Sequence, residues 1–404
     1  MVAGLKILLA LFLLKAGIAH AASKTHVHLF PEPLHVLDQK KFWIDVFHKY
    51  QSYTTIIHDA TYPSVIIDVI NFKAFSRQYK NGSPYSQSER RELANRYKKR
   101  YQKAIKRIRR YGKKALRFGP MEERVIKVYG NHLKAKKNMM KGKARIRSQN
   151  GLKDEFQVAA KRAQNLLPYM EHIFRQNGLP INLTRICFVE SMFNTKARSL
   201  RGASGVWQFI PSTAKDFMTV NNWIDERNSP IKASVAAARL LKRNYKILKS
   251  WPLAITAYNH GAYGMQRAKR QQQSDDMEKI ILNYKSDTFG FASKNFYAEF
   301  LAARYIYNTY YRHKTRFDSN PQNIAKIKVP KGSSLFDLLR YTPLTEKILK
   351  KHNLDLGKKA FSRHLQTPLP RGFEIFVPQH LAARTQNSFL KLSARSVKKW
   401  RRRI

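Results

Sequence analysis

Residues 186–193 read ICFVESMF and place one carboxylate, Glu190, inside an otherwise largely apolar stretch with a helical pattern. Burial among apolar neighbours disfavours the charged form of a carboxyl group, so the pKa of Glu190 is expected to rise. A carboxyl group that stays protonated near neutral pH can act as a general acid in the cleavage of a glycosidic bond. The alternative is a surface glutamate that stands between apolar residues by chance.

The chain on both sides of this stretch has an almost continuous helical pattern from Lys153 onward. Short apolar segments at helical spacing alternate with breaks that contain glycine. Helices are predicted over residues 156–176, 182–193, 211–219, 231–248, 252–258, 275–284 and 291–311. The fold class is therefore predicted to be mainly α, with an irregular helical domain over residues 151–318 rather than a coiled coil.

The region before this domain, residues 22–150, combines strand and helix patterns. Residues 53–58 and 64–70 are rich in β-branched and apolar side chains and flank a Tyr62-Pro63 turn. This arrangement predicts a small β-hairpin.

Residues 96–117 contain 12 Lys or Arg and no acid, and apolar or tyrosine side chains recur among them at helical spacing. They predict an amphipathic helix with one basic face, and a second basic helix is predicted to end near Arg147. The face is either an ordinary solvated surface, with the tyrosines packed on a neighbour, or a surface that binds nucleic acid or a membrane.

The C-terminal part of the chain changes character after residue 321. Strands are predicted at residues 327–329 and 373–377, and helices at 335–341 and 344–352 between them. The pattern indicates a small β-α-α-β unit over residues 325–380, followed by a basic tail over residues 381–404.

The composition is strongly cationic, with 77 Lys and Arg against 26 Asp and Glu and a formal net charge of +51. Such a chain is drawn to polyanions. Its single cysteine, Cys187, excludes an intramolecular disulfide and a cysteine-based metal site, and it is interpreted as a buried apolar side chain.

The N-terminal residues have the pattern of an export signal. Lys6 precedes an apolar run at residues 7–14, and Ala19-His20-Ala21 matches a signal-peptide cleavage pattern. Residues 1–21 are therefore predicted to be a signal peptide. The expected location is the periplasm or cell envelope, with the protein either free or peripheral on a membrane.

Four segments resemble, in order, the motifs of the soluble-lytic-transglycosylase-like family. They are residues 188–194 (FVESMFN), 202–211 (GASGVWQFIP), 257–261 (AYNHG) and 291–297 (FASKNFY). The segment WIDER at residues 223–227 resembles the subgroup that contains membrane-bound lytic murein transglycosylase D. The resemblance covers roughly residues 179–311.

This resemblance implies a lysozyme-like helical fold and a mechanism with one acidic residue. Glu190 would protonate the oxygen that joins N-acetylmuramic acid to N-acetylglucosamine, and would then act as the base that leads to a 1,6-anhydro sugar. No second carboxylate lies beside the motif, which is consistent with a one-acid mechanism, because most glycosidases need a pair. Asp225 and Glu226 are interpreted as structural partners of Arg227 or of the following helix.

The other motif positions are expected to bind substrate, and each has a simpler alternative. Ser191 is expected to orient the acid or the glycan, and the alternative is a small helix residue without a role. Gln208 is expected to line the glycan cleft, and the alternative is an exposed polar residue of a loop. Tyr258 and Asn259 line the cleft near the acid, with helix capping as the alternative. Tyr297 reaches toward Glu190, or packs in the core. His260, next to this pair, is expected to have no catalytic role. Neither a cofactor nor a metal is predicted.

The C-terminal unit resembles a LysM-type glycan-binding module at residues 329–335, Asn353 and residues 369–378. This resemblance implies binding of polymers that contain N-acetylglucosamine. The alternative is a small domain that only completes the fold.

The predicted function is that of a peptidoglycan lytic transglycosylase that acts on glycan strands as a monomer. The basic region is expected to contact an anionic wall polymer or a membrane surface. Two alternatives stay open: a lysozyme-type hydrolase, and a non-catalytic peptidoglycan-binding or assembly protein. Nucleic-acid binding is disfavoured because the chain has an export signal and no recognised nucleic-acid module.

Overall fold

The structure is a computed structural model, and it describes residues 29–314 and 324–401. The predicted signal peptide, residues 1–21, lies outside the described residues. The chain forms two compact units: a first unit of residues up to Val158 together with Leu241–Tyr310, and a second unit of Ala159–Leu240 together with the residues from Tyr311 onward. Residues 151–318, predicted as one domain, contribute to both units, and the predicted domain boundaries stay a prediction.

The described residues are mainly helical, which confirms the predicted fold class. The α-helices in the first half of the chain are α1 (Leu34–Ile44), α2 (Phe72–Tyr79), α3 (Gln87–Tyr111), α4 (Pro120–Gly130), α5 (Leu133–Met140), α6 (Lys153–Gln176) and α7 (Ile186–Ser191). Those in the second half are α8 (Pro211–Ala214), α9 (Pro230–Leu248), α10 (Trp251–His260), α11 (Ala262–Gln272), α12 (Met277–Asn283), α13 (Phe291–Tyr310), α14 (Leu335–Tyr341), α15 (Glu346–His352), α16 (Lys358–Phe361) and α17 (Gln379–Arg401). The strands are β1 (Thr54–Asp59), β2 (Ile66–Asn71), β3 (Ile146–Asn150), β4 (Ile324–Lys328) and β5 (Glu374–Pro378).

The first unit contains the predicted hairpin as part of a three-stranded antiparallel sheet. Strand β1 lies between β2 and β3 and is buried along its whole length. The turn between β1 and β2 is held by the buried Asp59, whose carboxylate accepts hydrogen bonds from the backbone N–H groups of Thr61 and Tyr62 at 2.7 and 3.0 Å. The hydroxyl of Tyr129 on α4 also donates to Asp59, at 2.7 Å. One carboxylate therefore fixes the turn and joins it to a helix.

Strand β3 was not predicted, and the interpretation of a basic helix ending near Arg147 is wrong at its C-terminal end. Residues Ile146–Asn150 read IRSQN, a polar sequence without the alternation that indicates a strand. They become a strand because they pair with β1, from Ile146 opposite Asp59 to Asn150 opposite Thr55. Pairing with a buried strand decides the conformation here, and local propensity does not.

Helix α3 is the basic amphipathic helix that the sequence predicts, and it begins nine residues earlier than expected. Its N-terminus is a capping box: the Ser86 side chain accepts from the backbone N–H of Glu89, and the Glu89 carboxylate accepts from the backbone N–H of Ser86. Its apolar face packs into the core of the unit, with Tyr101 and Ile105 among its buried side chains. The tyrosine stripe therefore packs on neighbouring side chains, and what the basic face contacts stays a prediction.

Helix α13 packs along α1 in the first unit. The indole N–H of Trp43 donates to the Asn295 side chain at 3.0 Å in a buried contact. Glu32, just before α1, pairs with Arg304 of α13 at 3.2 Å. Helix α11, which the sequence analysis missed, follows α10 after a single residue, Gly261 at φ +88°. Only glycine adopts this conformation readily, so the glycine-rich turn separates two helices rather than marking a long loop.

The C-terminal part of the second unit has the predicted β-α-α-β order, with the additional short helix α16 before β5. Strands β4 and β5 pair antiparallel. Ile224, which precedes α9, lies in the same hydrophobic core as Leu335, Leu349 and Ile375. The residues predicted as a basic tail form helix α17 as far as Arg401.

The C-terminal part is joined to the segment before α9 by polar contacts as well. The Lys232 ammonium group lies 2.7 Å from the fully buried Asp355 carboxylate and 2.9 Å from Glu226. The Asp225 backbone N–H donates to the Asp355 carbonyl oxygen at 2.8 Å. The Trp223 ring stacks on His364 with centroids 5.1 Å apart. The C-terminal β-α-α-β part is thus built into the second unit.

Among the residues that the structure describes, helices that combine the length and the apolar character needed to cross a membrane are absent.

Candidate active site

Glu190 lies near the C-terminal end of the short helix α7, in the second unit. The three residues at the start of this helix, Ile186, Cys187 and Phe188, are buried, while Glu190 itself is half-buried. Burial raises the pKa of Glu190 from its ordinary value of 4.5 to about 8. Burial likewise raises the pKa of the Cys187 thiol, as expected for an inert core cysteine. A carboxyl group with this pKa is largely protonated at neutral pH and can donate a proton.

The backbone reverses direction directly after Glu190 and Ser191. Met192 and Phe193 both have left-handed conformations, with φ of 49° and 54°. These are uncommon for residues with large side chains and carry a conformational cost. The buried Phe193 ring packs edge-on against Phe188 at a centroid distance of 4.6 Å, which holds the turn in place. The reversal ends α7 one residue after Glu190, so the carboxyl group lies at a helix end.

Ser191 joins α7 to the loop that carries the second motif. Its hydroxyl donates to the Val206 carbonyl oxygen at 2.8 Å. Gln208, in the same loop, has φ of 48°, and its side-chain amide donates to the carbonyl oxygens of Gly205 at 2.8 Å and Ala197 at 3.2 Å. These bonds fix the amide group, so its Oε1 atom is the part that can accept from a ligand.

Trp207 anchors this loop to the helical core. Its ring is fully buried and stacks on Phe174 of α6 at a centroid distance of 5.6 Å and an interplanar angle of 7°. Its indole N–H donates to the Ser234 hydroxyl of α9 at 2.8 Å. The loop therefore has both an apolar and a polar attachment immediately before Gln208.

Arg227 holds the two ends of the same loop together. Arg227 is 6% exposed, and its guanidinium group donates to the carbonyl oxygens of Gly202 at 2.7 Å and Phe209 at 3.1 Å. The other side of the guanidinium forms a bidentate pair with Asp225 at 2.8 and 2.9 Å. The planar fork of an arginine is suited to this double role.

The third and fourth motifs lie in the first unit and contact each other there. The Ser293 hydroxyl of α13 donates to Asn259 Oδ1 at 2.8 Å, which leaves the Asn259 amide N–H₂ as a donor. His260 packs edge-on against Phe289 at 5.0 Å, and burial lowers its pKa. A Cβ atom on Gly264 would lie 2.6 Å from the His260 ring, so this position needs a glycine.

Tyr297 is fully buried in the first unit, and its hydroxyl donates to the Pro31 carbonyl oxygen at 2.9 Å. Burial raises its pKa well above the ordinary value. Within this unit, Tyr297 is therefore a core residue. That its side chain reaches toward Glu190 stays a prediction.

The segment that contains Glu190, Gln208 and Asn259 matches a known family. Residues 172–281 match the model of the transglycosylase SLT domain. The chain contains an SLT domain.

Three known proteins are similar to parts of this chain. Membrane-bound lytic murein transglycosylase D of Escherichia coli is 26% identical over 171 residues, which cover 40% of this chain and 36% of that protein. A putative tributyltin chloride resistance protein of an Alteromonas species is 35% identical over 113 residues, 28% of this chain and 55% of that protein. The X-ray structure of an inactive mutant of lytic transglycosylase Slt from Pseudomonas aeruginosa aligns with a TM-score of 0.29 and 22% identity, over 34% of this chain and 23% of that one. The chain thus spans about a third of the length of the Escherichia coli protein.

The predicted site residues of the SLT domain are distributed over both units. Glu190, Ser191 and Gln208 lie in the second unit, where the Ser191 bond joins their two motifs. Tyr258, which is half-buried, and Asn259, which is exposed, lie in the first unit. Among the described residues, no group of three or more His, Cys, Asp or Glu side chains is arranged to hold a metal ion.

Sequence reasoning identified Asp225 and Glu226 as structural partners, and the contacts confirm this. Asp225 pairs with Arg227, and Glu226 pairs with Lys232 in the following helix. What it missed is that Arg227 also binds the backbone on both sides of the Gln208 loop of the SLT domain. The WIDER segment contains this arginine, but hydrogen bonds to backbone carbonyl oxygens cannot be predicted from the residue types in a sequence.

Replacing Arg227 with lysine is expected to lower the free energy of unfolding by about 2 to 4 kcal/mol, because an ammonium group cannot reach Asp225 and both carbonyl oxygens together. Chemical unfolding followed by circular dichroism measures this change. Arg239→Lys, on the exposed face of α9, is the matched control and should change stability by less than about 0.5 kcal/mol. Equal effects of the two substitutions would contradict the role given to Arg227.

Proposed function

We propose that the protein is a peptidoglycan lytic transglycosylase in which Glu190 is the catalytic acid and base. The observation that carries this proposal is the position of Glu190: a half-buried carboxyl group at the end of α7, inside an SLT domain, with a pKa raised to about 8. The Escherichia coli relative, a lytic murein transglycosylase by name, supports the substrate class. The resemblance of the motifs implies a lysozyme-like fold for the domain.

In the proposed reaction, the protonated Glu190 donates its proton to the oxygen between muramoyl C1 and the neighbouring N-acetylglucosamine, and the C1–O bond breaks. The C6 hydroxyl oxygen of the same muramoyl residue then attacks C1 and passes its proton to the Glu190 carboxylate. The acid is thereby regenerated, and a 1,6-anhydro ring forms without water. One residue with a pKa near the working pH can serve in both steps.

The remaining motif residues are proposed to hold the glycan. Gln208 would accept through Oε1, because its amide N–H₂ is bound to the loop. Asn259 would donate through its amide N–H₂, because Oδ1 is bound to Ser293. Ser191, whose hydroxyl binds Val206, is proposed to act as a positioning residue for the acid. Tyr258 and Tyr297 are proposed to shape the cleft.

The identity of the released products tests the proposal. Purified sacculi are incubated with the protein, and the soluble muropeptides are analysed by mass spectrometry. Anhydro-muramoyl ends, which lack the mass of one water, are the expected result. Reducing ends would show a lysozyme-type hydrolase. Sacculus binding without any release would favour a non-catalytic peptidoglycan-binding or assembly protein.

The raised pKa of Glu190 also predicts how stability changes with pH. Between pH 4.5 and pH 8 the folded protein keeps a proton on Glu190 that the unfolded chain has lost, so this residue makes the protein less stable as the pH rises. Glu190→Gln removes the effect. Its melting temperature should equal that of the parent near pH 4.5 and exceed it by a few degrees at pH 8, by differential scanning fluorimetry. Glu92→Gln, at an exposed position, should give no difference that grows over this range. A constant difference for Glu190→Gln would contradict the pKa assignment.

Export to the cell envelope and glycan binding by the C-terminal part are also proposed. Asn353, one of the residues behind the LysM-like resemblance, is buried, and its amide exchanges hydrogen bonds with the backbone of Phe376 on β5. This supports a structural role for Asn353 itself, so any glycan contacts would come from its neighbours. Sedimentation of Glu190→Gln with sacculi measures glycan affinity without turnover.

A further inference from the structure

The first unit carries a strongly basic surface that the proposed reaction does not use. Residues 99–147 contain nineteen Lys and Arg against two acids, Glu122 and Glu123. All nineteen basic side chains are exposed, and Glu122 is buried against Arg107 at 3.0 Å. We name the exposed Lys and Arg of residues 99–147 the basic surface.

Part of the basic surface is a regular stripe on α3. Lys99, Lys103, Lys106 and Arg110 follow at helical spacing and therefore lie on one side of the helix. The buried side chains of α3 lie on the opposite side, so the stripe faces away from the core. The Arg109 side chain donates to the Met140 carbonyl oxygen at 3.2 Å, so α5 lies next to the C-terminal half of the stripe.

Exposed apolar side chains lie among these cations. Leu133 is 80% exposed and Met140 is 43% exposed, and their spacing of seven residues places them on one side of α5 together with Lys136 and Lys137. The 3-10 helix Gly112–Phe118 that follows α3 exposes Leu116 by 46% and Phe118 by 39%.

The aromatic side chains at the two ends of this 3-10 helix, Tyr111 and Phe118, lie against guanidinium groups. Arg107 and Arg117 lie over the Phe118 ring, at 4.9 and 5.0 Å from its centroid. Arg110 and Arg117 lie at similar distances over Tyr111. Arginine over an aromatic ring pairs an apolar stem and ring with a charged end, which suits the boundary between lipid headgroups and acyl chains.

We propose that the basic surface docks the protein onto an anionic phospholipid membrane, with Leu116, Phe118, Leu133 and Met140 inserted below the headgroups. Charge alone would suit any polyanion. The four exposed apolar side chains favour a membrane over a soluble polyanion. A bilayer interface provides an apolar medium for these side chains, whereas a hydrated polymer does not. Membrane binding of this kind is peripheral and combines apolar insertion with attraction to anionic headgroups.

Vesicle sedimentation tests this proposal with the full chain. The protein is expected to sediment with vesicles of phosphatidylglycerol and phosphatidylcholine, but not with vesicles of phosphatidylcholine alone. Added salt is expected to weaken its binding to the anionic vesicles. Lys113→Gln with Lys114→Gln should weaken binding roughly 25-fold, at about fivefold per charge. Leu133→Ser with Met140→Ser should weaken it about tenfold and leave the charge unchanged.

Leu390→Ser is the matched control, because Leu390 is 71% exposed and lies on α17 in the second unit. It should bind vesicles as the parent does. Residues 1–21 are common to all variants, so differences between variants report on the basic surface alone. Vesicle binding that is unchanged in the Leu133 and Met140 double variant, or lost equally in Leu390→Ser, would overturn the proposal. So would stronger binding to a soluble polyanion such as heparin or single-stranded DNA than to anionic vesicles.

Discussion

Glu190→Gln is expected to reduce the release of anhydro-muropeptides from purified sacculi by about a thousandfold or more. Glutamine has nearly the same size as glutamate and keeps the packing at the end of α7. Its amide group can neither donate the proton that the leaving oxygen needs nor accept the proton of the C6 hydroxyl group. Both steps of the proposed reaction are therefore lost together. Initial rates from quantitative mass spectrometry of the released fragments measure the effect.

Asp216→Asn provides the comparison within the same unit. Asp216 is an exposed acid that follows the Gln208 loop, and its replacement should change the rate by less than about threefold. A loss as large as that of Glu190→Gln would mean that two carboxylates act, as in most glycosidases. If Glu190→Gln itself retained a tenth of the parent rate, Glu190 would not be the acid.

Gly205→Ala is expected to lower the free energy of unfolding by about 3 to 4 kcal/mol and the rate by about a hundredfold. Gly205 has φ of +75°, and a Cβ atom there would lie 1.9 Å from the Arg227 carbonyl oxygen. Backbone cannot yield to such a contact as a flexible side chain can. The loop must therefore move away from Arg227 and carry Gln208 with it. Chemical unfolding and muropeptide release together measure the two effects.

Gly178→Ala separates the two causes of this loss. Gly178, which follows α6, has a similar φ of +69°, but a Cβ atom there would have no other atom within 4 Å. Its replacement should cost about 1 kcal/mol from backbone strain and leave the rate unchanged. Similar losses of stability for Gly178→Ala and Gly205→Ala would show that backbone strain explains both losses. The contact of a Cβ atom with the Arg227 carbonyl oxygen would then contribute nothing.

The sequence predicts those elements whose conformation is set locally. Residues 335–341 form the predicted helix with the predicted bounds, because a Ser334 cap and an apolar face coincide there. Strand β3 was missed because its polar residues become a strand through pairing with β1. Helix α11 was missed because Gly261, which separates it from α10, has the appearance of a loop residue. Long-range pairing and the geometry of one backbone angle are not encoded in local periodicity.

For the site, the sequence identified side chains and could not give their partners. Glu190 was predicted to be the acid from a carboxylate among apolar residues, and burial raises its pKa as expected, while its catalytic role stays a proposal. The direction in which Gln208 and Asn259 present their amide groups depends on the carbonyl of Gly205 and the hydroxyl of Ser293. Arg227 was recognised as a partner of Asp225, while its bonds to Gly202 and Phe209 follow from the path of the loop.

The buried pair of Lys232 and Asp355 also has a consequence for how the chain reaches its native state. The two residues are 123 positions apart, so at 5 to 20 residues per second the carboxylate leaves the ribosome roughly 6 to 25 seconds after the lysine. Until then, the C-terminal residues that form the hydrophobic core around Ile224 are still incomplete, and Lys232 lacks its buried partner. The second unit therefore cannot finish folding during synthesis of its first half.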